Sequence, residues 1–223
     1  MTGARIVGFG DAAVLVELEQ RGVVADARRA RRLAAAIDDL RTLDPRLGVP
    51  VAAAASVLVP FEPRATDVAT VGALIAPLLE EAAGREDDGD DAAAGPEHVI
   101  AVRYGGDDGP DLDAVAIECG LRVDRVIELH AATAYEVLFA GFAPGFAYLG
   151  ELPAELRVPR LATPRTRVPA GAVAIAGAMT AIYPQASPGG WRLIGRTDTR
   201  LFDPAARPPA LLRPGDRVRF EPA

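Results

Sequence analysis

Apolar residues recur along this chain in two rhythms, and the change from one to the other divides it into elements. Residues 5–7 and 13–18 are short, mostly apolar runs that read as two strands, with Gly8-Phe-Gly-Asp11 supplying the turn glycines of a hairpin. From 23 to 43 the rhythm becomes helical: Leu33, Ala36, Ile37 and Leu40 fall on one face. Arg28, Arg29, Arg31 and Arg32 occupy much of the rest of that helix, a charge run that ordinarily marks a solvated face. Residues 47–54 and 57–61 read as a third and fourth strand. Thr66 or Asp67 is placed to N-cap a second helix over 68–82, and 98–102 reads as a further strand. Strands framing two helices predict a small α+β sandwich of ferredoxin-like type.

Beyond residue 104 the punctuation changes. Asp111 is placed to N-cap a helix over 112–119 that Gly120 stops, and a second short helix follows over 124–132. The pair imitates a DNA-binding helix-turn-helix, but its second helix sets one Arg against two acids, the wrong balance for phosphate contact. From 137 on, short apolar runs alternate with Gly and Pro at 137–140, 146–149, 172–176, 180–183, 191–194, 200–202 and 217–220. That spacing predicts a closed, mostly-β barrel rather than a parallel sheet. Between the two halves, the acidic, Ala/Gly-rich stretch 84–95 carries too little apolar surface to fold alone. The expected organisation is therefore an α+β domain over 1–83, an acidic linker over 84–97 and a β-barrel domain over 98–223.

Composition narrows the chemistry. The chain has 223 residues, half of them apolar, and no apolar run reaches the ~18 residues that span a bilayer. An acid interrupts the N-terminal apolar stretch where a signal peptide needs an unbroken core, so a cytoplasmic location is expected. There is no Lys, which removes Schiff-base chemistry and the P-loop lysine. A single cysteine, Cys119, excludes a disulfide framework and a multi-Cys zinc site. Neither serine, Ser56 or Ser187, lies in a G-x-S-x-G elbow. A net charge of −7 argues against nucleic acid as a partner, whereas arginine as the only strong base leaves small anions open as ligands.

Four segments carry candidate chemistry. Gly141-Phe-Ala-Pro-Gly-Phe-Ala-Tyr-Leu-Gly150 is a rigid, aromatic loop whose backbone allows close approach of a ligand, or a structural turn with core aromatics. Pro159-Arg-Leu-Ala-Thr-Pro-Arg-Thr-Arg-Val-Pro169 places Arg160, Arg165 and Arg167 on a loop stiffened by three prolines, which suits an anion at low entropic cost. In Gly171-Ala-Val-Ala-Ile-Ala-Gly-Ala-Met-Thr-Ala-Ile-Tyr-Pro184, tiny residues at alternate positions leave room either for close packing or for a cavity floor. Ser187-Pro-Gly-Gly-Trp-Arg-Leu-Ile-Gly-Arg-Thr197 reads as a turn feeding a strand, with Arg192 and Arg196 on one of its faces. His130 is the histidine nearest these segments in sequence, and its unperturbed pKa suits proton transfer near neutrality.

In this order, Tyr104-Gly-Gly, Gly141-Phe-Ala-Pro-Gly-Phe-Ala-Tyr-Leu, Pro159-Arg, Pro164-Arg, Val168-Pro-Ala-Gly, Ile182-Tyr-Pro and Ser187-Pro-Gly-Gly-Trp-Arg-Leu-Ile-Gly-Arg-Thr resemble the PxpB/KipI family, the B-type subunits of 5-oxoprolinase. This is the family of allophanate hydrolase subunit 1 and the carboxyltransferase C/D domain. The resemblance is strong over about residues 99–220, and Gly10-Asp-Ala-Ala-Val-Leu-Val-Glu matches more loosely. It implies an N-terminal α+β domain and a cyclophilin-like β-barrel. It also implies a C-type (KipA/PxpC-like) partner, a third LamB/YcsF-like PxpA protein, and ATP with Mg2+ as co-substrate for opening the lactam of 5-oxoproline to glutamate. Taken with the Arg/Pro loop, it makes Arg165 and His130 the candidate catalytic residues, with Arg160, Tyr148, Tyr183 and Arg196 binding substrate.

The chain departs from the family pattern in three places. Gly-Ser-Val becomes Gly171-Ala172-Val173, Gly-x-Gln-Thr-Gly becomes Gly177-Ala178-Met179-Thr180-Ala181, and Tyr-Arg-Ser becomes Ala54-Ala55-Ser56. The lost hydroxyl and carboxamide keep open a non-catalytic binding module like the KipI histidine-kinase inhibitor. A carboxyltransferase-type subunit is a third reading; without Lys, any biotin would reside on a partner.

Overall fold

The computed structural model describes residues 4–84 and 95–223, so nearly all of the acidic stretch expected as a linker lies outside the described residues. The chain divides between residues 93 and 94 into two compact units.

The first unit contains β1 (Ala4–Gly8), β2 (Ala13–Leu18), α1 (Val23–Leu43), β3 (Val51–Ala52), β4 (Ser56–Pro60) and α2 (Val68–Gly84). Its antiparallel sheet runs β1-β2-β4-β3. Alternation decides its buried face: Val14, Val16, Val57 and Val59 point inward while Glu17 points out. Leu33 and Ile37 of α1 and Val71 and Ile75 of α2 cover that face, each pair at the helical spacing of four residues. Asp67, not Thr66, caps α2, its Oδ1 accepting the Thr70 N–H at 2.8 Å.

Three expectations are corrected here. The element order is β-β-α-β-β-α, not the β-α-β-β-α-β of a ferredoxin-like sandwich, because the next strand pairs within the second unit. The third strand shrinks to two residues plus a bridge from Leu47 to Phe61; Pro50 brings no N–H to a ladder, and Gly48 is pressed against Pro60. Arg29 belongs to no solvated face: it is 5% exposed, donating to the Glu19 carbonyl at 3.0 Å.

The second unit contains β5 (Glu97–Tyr104), α3 (Leu112–Cys119), α4 (Val123–Ala132), β6 (Ala134–Ala140), β7 (Ala147–Gly150), β8 (Arg165–Val168), β9 (Ala172–Ala176), β10 (Met179–Ile182), β11 (Ser187–Gly189), β12 (Arg192–Arg196) and β13 (Arg217–Pro222). Seven strands close a barrel in the order β10-β7-β6-β13-β5-β12-β9, with β13 parallel to β5 and the other pairs antiparallel. One residue set, drawn from all these strands, meets in a single cluster: Ile100, Tyr135, Leu149, Ile175, Ile194 and Phe220 are among them. Only the interior of a closed barrel brings alternate residues of every strand together. Val115 and Ala116 of α3 and Val126 of α4 join that cluster, so the helix pair is a structural plug with its apolar face spent on the core.

The opposite set on β9, Ala172, Ala174 and Ala176, faces outward, yet it is buried too. Phe146, Trp191 and Val168 of β8 lie over it, so the tiny residues serve close packing. The covering ribbon pairs β8 with β11. Both strands sit in segments whose prolines and glycines predict loop; a ribbon apart from the barrel tolerates proline in its strands. The strand expected at 200–202 reduces to one bridge between Phe202 and Ala210.

Candidate oxyanion site on the outer barrel wall

The hairpin joining β6 and β7 starts the site. It turns through bonds from Ala143 N–H to the Gly141 carbonyl (2.8 Å) and from Phe146 N–H to the Ala143 carbonyl (3.0 Å). Gly145 has φ +80° with Phe202 and Leu201 packed against it, a place where a side chain has neither the backbone nor the room. Phe142 adopts φ +70° without being glycine and leaves its ring 61% exposed, a strained conformation of the kind concentrated at functional surfaces.

Behind this tip runs a continuous aromatic wall. The Phe142 and Phe146 rings meet edge to face at 5.2 Å, Phe146 reaches Tyr183 at 5.3 Å, and Tyr148 reaches Trp191 at 5.8 Å. Tyr183 is nearly buried, with Gly189 so close to its hydroxyl that any side chain there collides. Burial raises the pKa of both Tyr148 and Tyr183; the charge of Arg160 opposes the rise in each, as does a backbone hydrogen bond of Trp191 at Tyr183. Both hydroxyls are therefore neutral donors at physiological pH.

The arginines sit at the edge of this wall. Arg160 lies over the Trp191 ring, 5.8 Å from its centroid. Its loop is stapled to β12: Arg192 donates to the Pro159 carbonyl at 3.2 Å, and Leu161 N–H donates to the Gly190 carbonyl at 2.7 Å. Arg165, on β8, donates from Nη2 to Asp111 Oδ1 at 2.7 Å. Its Nη1 is buried without any hydrogen-bond partner, as is the hydroxyl of Ser187 on the paired strand β11. An unpaired buried donor costs about 1–3 kcal/mol, and more when charged, so an incoming acceptor at Arg165 recovers what the fold leaves unsatisfied.

The six residues singled out from the sequence thus separate. Arg160, Arg165, Tyr148 and Tyr183 belong to this outer wall and its rim. Arg196 donates to the Ala170 carbonyl at 3.1 Å and approaches Asp108, which also binds Arg103; its partner differs from that of Arg192, and a bulge in β12 breaks the shared face expected of the two.

His130, expected as a proton-transfer group, is fully buried inside the barrel, stacked on Phe220 at 4.6 Å. The Thr180 hydroxyl donates to the Ala174 carbonyl, so it accepts the His130 Nε2–H at 2.9 Å; Nδ1 in turn accepts the Tyr104 hydroxyl proton at 2.7 Å. Burial lowers its pKa to about 3, so it is neutral and engaged on both nitrogens. Tyr104→Phe removes one partner and leaves a buried acceptor bare; the barrel is expected to lose about 1–2 kcal/mol in urea unfolding, with an unchanged midpoint contradicting the bond.

Asp111 escaped sequence reasoning in this role. Its place before α3 signals a helix cap, but its side chain makes no capping bond. Asp111 is buried, and its carboxylate instead accepts Arg165 on one oxygen and the Leu193 N–H on the other, each at 2.7 Å.

Comparison with known proteins places the chain in a family. The family model for the carboxyltransferase domain, subdomains C and D, matches residues 4–212. The chain is 58% identical over 123 residues to the B-type 5-oxoprolinase subunit of Escherichia coli O157:H7, covering 55% of this chain and 56% of that protein. The matched region thus spans about half the length of the curated relatives. The crystal structure of TTHA0988 superposes with a TM-score of 0.77 at 39% identity, covering 95% of this chain but 39% of that one. The Kluyveromyces lactis urea carboxylase superposes with a TM-score of 0.80 over 99% of this chain and 22% of its own; at 20% identity that likeness is one of fold alone. With the matched span covering most of both units, the chain belongs to the carboxyltransferase subdomain C and D family, and within it is similar to the B-type subunits of 5-oxoprolinase.

Proposed function

We propose that this chain is the B-type subunit of an ATP-dependent 5-oxoprolinase and holds an oxyanion of the reacting molecules at Arg165, with Arg160 beside it. One observation carries the site: the buried, unpartnered Nη1 of Arg165 at the edge of an aromatic wall. The named relatives supply the substrate class.

The chemistry suits these groups. In ring opening, the lactam C–N bond breaks, the oxygen of water joins the carbonyl carbon, and the ring nitrogen leaves as the amine of glutamate. ATP supplies the phosphoryl group that activates the amide oxygen, so that loss of the ring nitrogen leaves an acyl phosphate, and a second water then releases inorganic phosphate to complete the carboxylate. A guanidinium held in place stabilises carboxylate or phosphoryl charge without reorganising. The neutral hydroxyls of Tyr148 and Tyr183 line the same wall. A metal does not fit this chain equally well: among the described residues no group of three or more His, Cys, Asp or Glu is placed to hold one. Any Mg2+ would therefore arrive with the nucleotide or on a partner. Partners of the C-type (KipA/PxpC-like) and LamB/YcsF-like PxpA kinds complete the assembly. TTHA0988, in which a comparable module is joined to more than its own length of further chain, supports that reading.

The test is reconstitution with the KipA/PxpC-like and LamB/YcsF-like proteins of the same source. ADP release that depends on 5-oxoproline, with matching glutamate, is expected. A stable complex with no turnover overturns the enzymatic reading and favours a KipI-like binding module. One observation leans that way: Ala172 and Met179, where the family pattern has a hydroxyl and a carboxamide, pack into the aromatic layer and offer no polar side-chain contact there.

A further inference from the structure

An arginine and a carboxylate that meet only for stability usually pair edge to edge, two N–H groups to two oxygens. Arg165 and Asp111 do not. Asp111 Oδ1 takes Nη2 alone at 2.7 Å, while Oδ2 is diverted to the backbone N–H of Leu193 at 2.7 Å. That diversion leaves Nη1 buried and without an acceptor. Asp111 is itself held: its own N–H donates to the Leu193 carbonyl at 2.9 Å, its carbonyl accepts Val115 N–H at 2.8 Å, and Gly109 lies too close to the Ile194 carbonyl for any side chain. The carboxylate is therefore fixed to β12 and α3, whereas Arg165 sits on the two-stranded ribbon outside the barrel. Fifty-four residues apart in sequence, the two join that ribbon to the barrel.

We propose that Asp111 is a positioning residue: it fixes one edge of the Arg165 guanidinium so that the other keeps a donor unpaired for a carboxylate or phosphoryl oxygen. This rests on the reading of Arg165 as the oxyanion donor. Asp111 touches no reacting atom; it removes the rotational freedom that Arg165 otherwise loses on binding.

The test uses the full chain and the guanidinium resonances of Arg165, assigned with Arg165→Lys. In the unsubstituted protein, rotation about the guanidinium bonds is expected to be hindered, and titration with inorganic phosphate and, separately, with 5-oxoproline shows which oxyanion moves the Arg165 signals. Asp111→Asn, which keeps an oxygen for Leu193 N–H, and Asp111→Ser, which is too short for it, are both expected to free that rotation and weaken binding by about tenfold or more. In the reconstituted complex they raise KM for the same ligand more than they lower kcat. Added to Arg165→Lys, neither substitution weakens binding further. If neither ligand moves the Arg165 signals, the oxyanion reading falls and the positioning role with it. If a ligand does so and a folded Asp111 variant binds it as tightly, only the positioning role falls. Should both variants unfold, freely rotating Arg165 in the unsubstituted chain overturns the proposal by itself.

Discussion

Arg165→Ala is expected to lower kcat/KM for 5-oxoproline-dependent ADP release by the reconstituted complex about 100-fold or more, the scale of removing one preorganised donor from a developing charge. The size follows from the setting. Arg165 Nη1 is already desolvated and unpaired, so an acceptor arriving there exchanges no protein bond for the one it makes. The substitution also strips Asp111 of its cation and leaves a buried carboxylate oxygen bare, so thermal unfolding must be followed in parallel. Arg165→Lys separates the two effects. It keeps a positive charge near Asp111 but cannot hold that carboxylate and an incoming oxyanion on two rigid nitrogens at once. Its folded state is expected to survive while activity falls to between the native and Arg165→Ala levels. Activity of the Ala variant within twofold of native removes Arg165 from the site.

Acid is expected to weaken the barrel through His130. In the folded chain burial holds its pKa down to about 3; in the unfolded chain it titrates at its ordinary value of 6.5. Between those values the unfolded state binds a proton that the folded state refuses, so unfolding becomes easier as pH falls. Above about pH 7 the imidazole is neutral in both states and contributes no slope. Below 6 the free energy of unfolding is expected to fall by roughly 1.4 kcal/mol per pH unit until the folded imidazole itself takes up a proton. Urea midpoints of the C-terminal unit at pH 8, 7, 6 and 5 read this directly. His130→Gln, which has no proton to gain, is expected to flatten the curve between 6.5 and 5, with His98→Gln as the control for the other histidine. A wild-type curve level from pH 8 to 5 contradicts a neutral, interior His130. Asp198, whose carboxyl the paired Arg103 holds below the usual range, acts in the same direction but only at more acid pH.

The same histidine shows what residue type alone conveys. At the end of α4 it has the chemistry of a proton carrier, and its neighbours in sequence say nothing against that. Its role depends on Tyr104, 26 residues earlier, and Thr180, 50 residues later, meeting it inside a closed barrel. Asp111 is a parallel case: a carboxylate before a helix is normally a cap, and Arg165 outcompetes that role across the fold. Arg160 and Arg165 were conspicuous as cations on a proline-stiffened segment, but which nitrogen is left open depends on partners no local pattern names.

Elements whose reasons are local can be read from the residues. The helices Val23–Leu43 and Leu112–Cys119 and the strand Ala172–Ala176 carry their own period, caps or breakers, and Gly120 ends α3 in the left-handed conformation its sequence context calls for. So do the aromatic hairpin and the ordered motifs that mark the family. Strands β8 and β11 are different: each exists because the other is there, and the prolines flanking β8 and the proline and glycine within β11 argue against either alone. Which face of β9 is core, which face the aromatic wall covers, and which arginine nitrogen lacks a partner follow from barrel closure and register. Those are properties of contacts between distant segments, and a period along the chain carries no information about them.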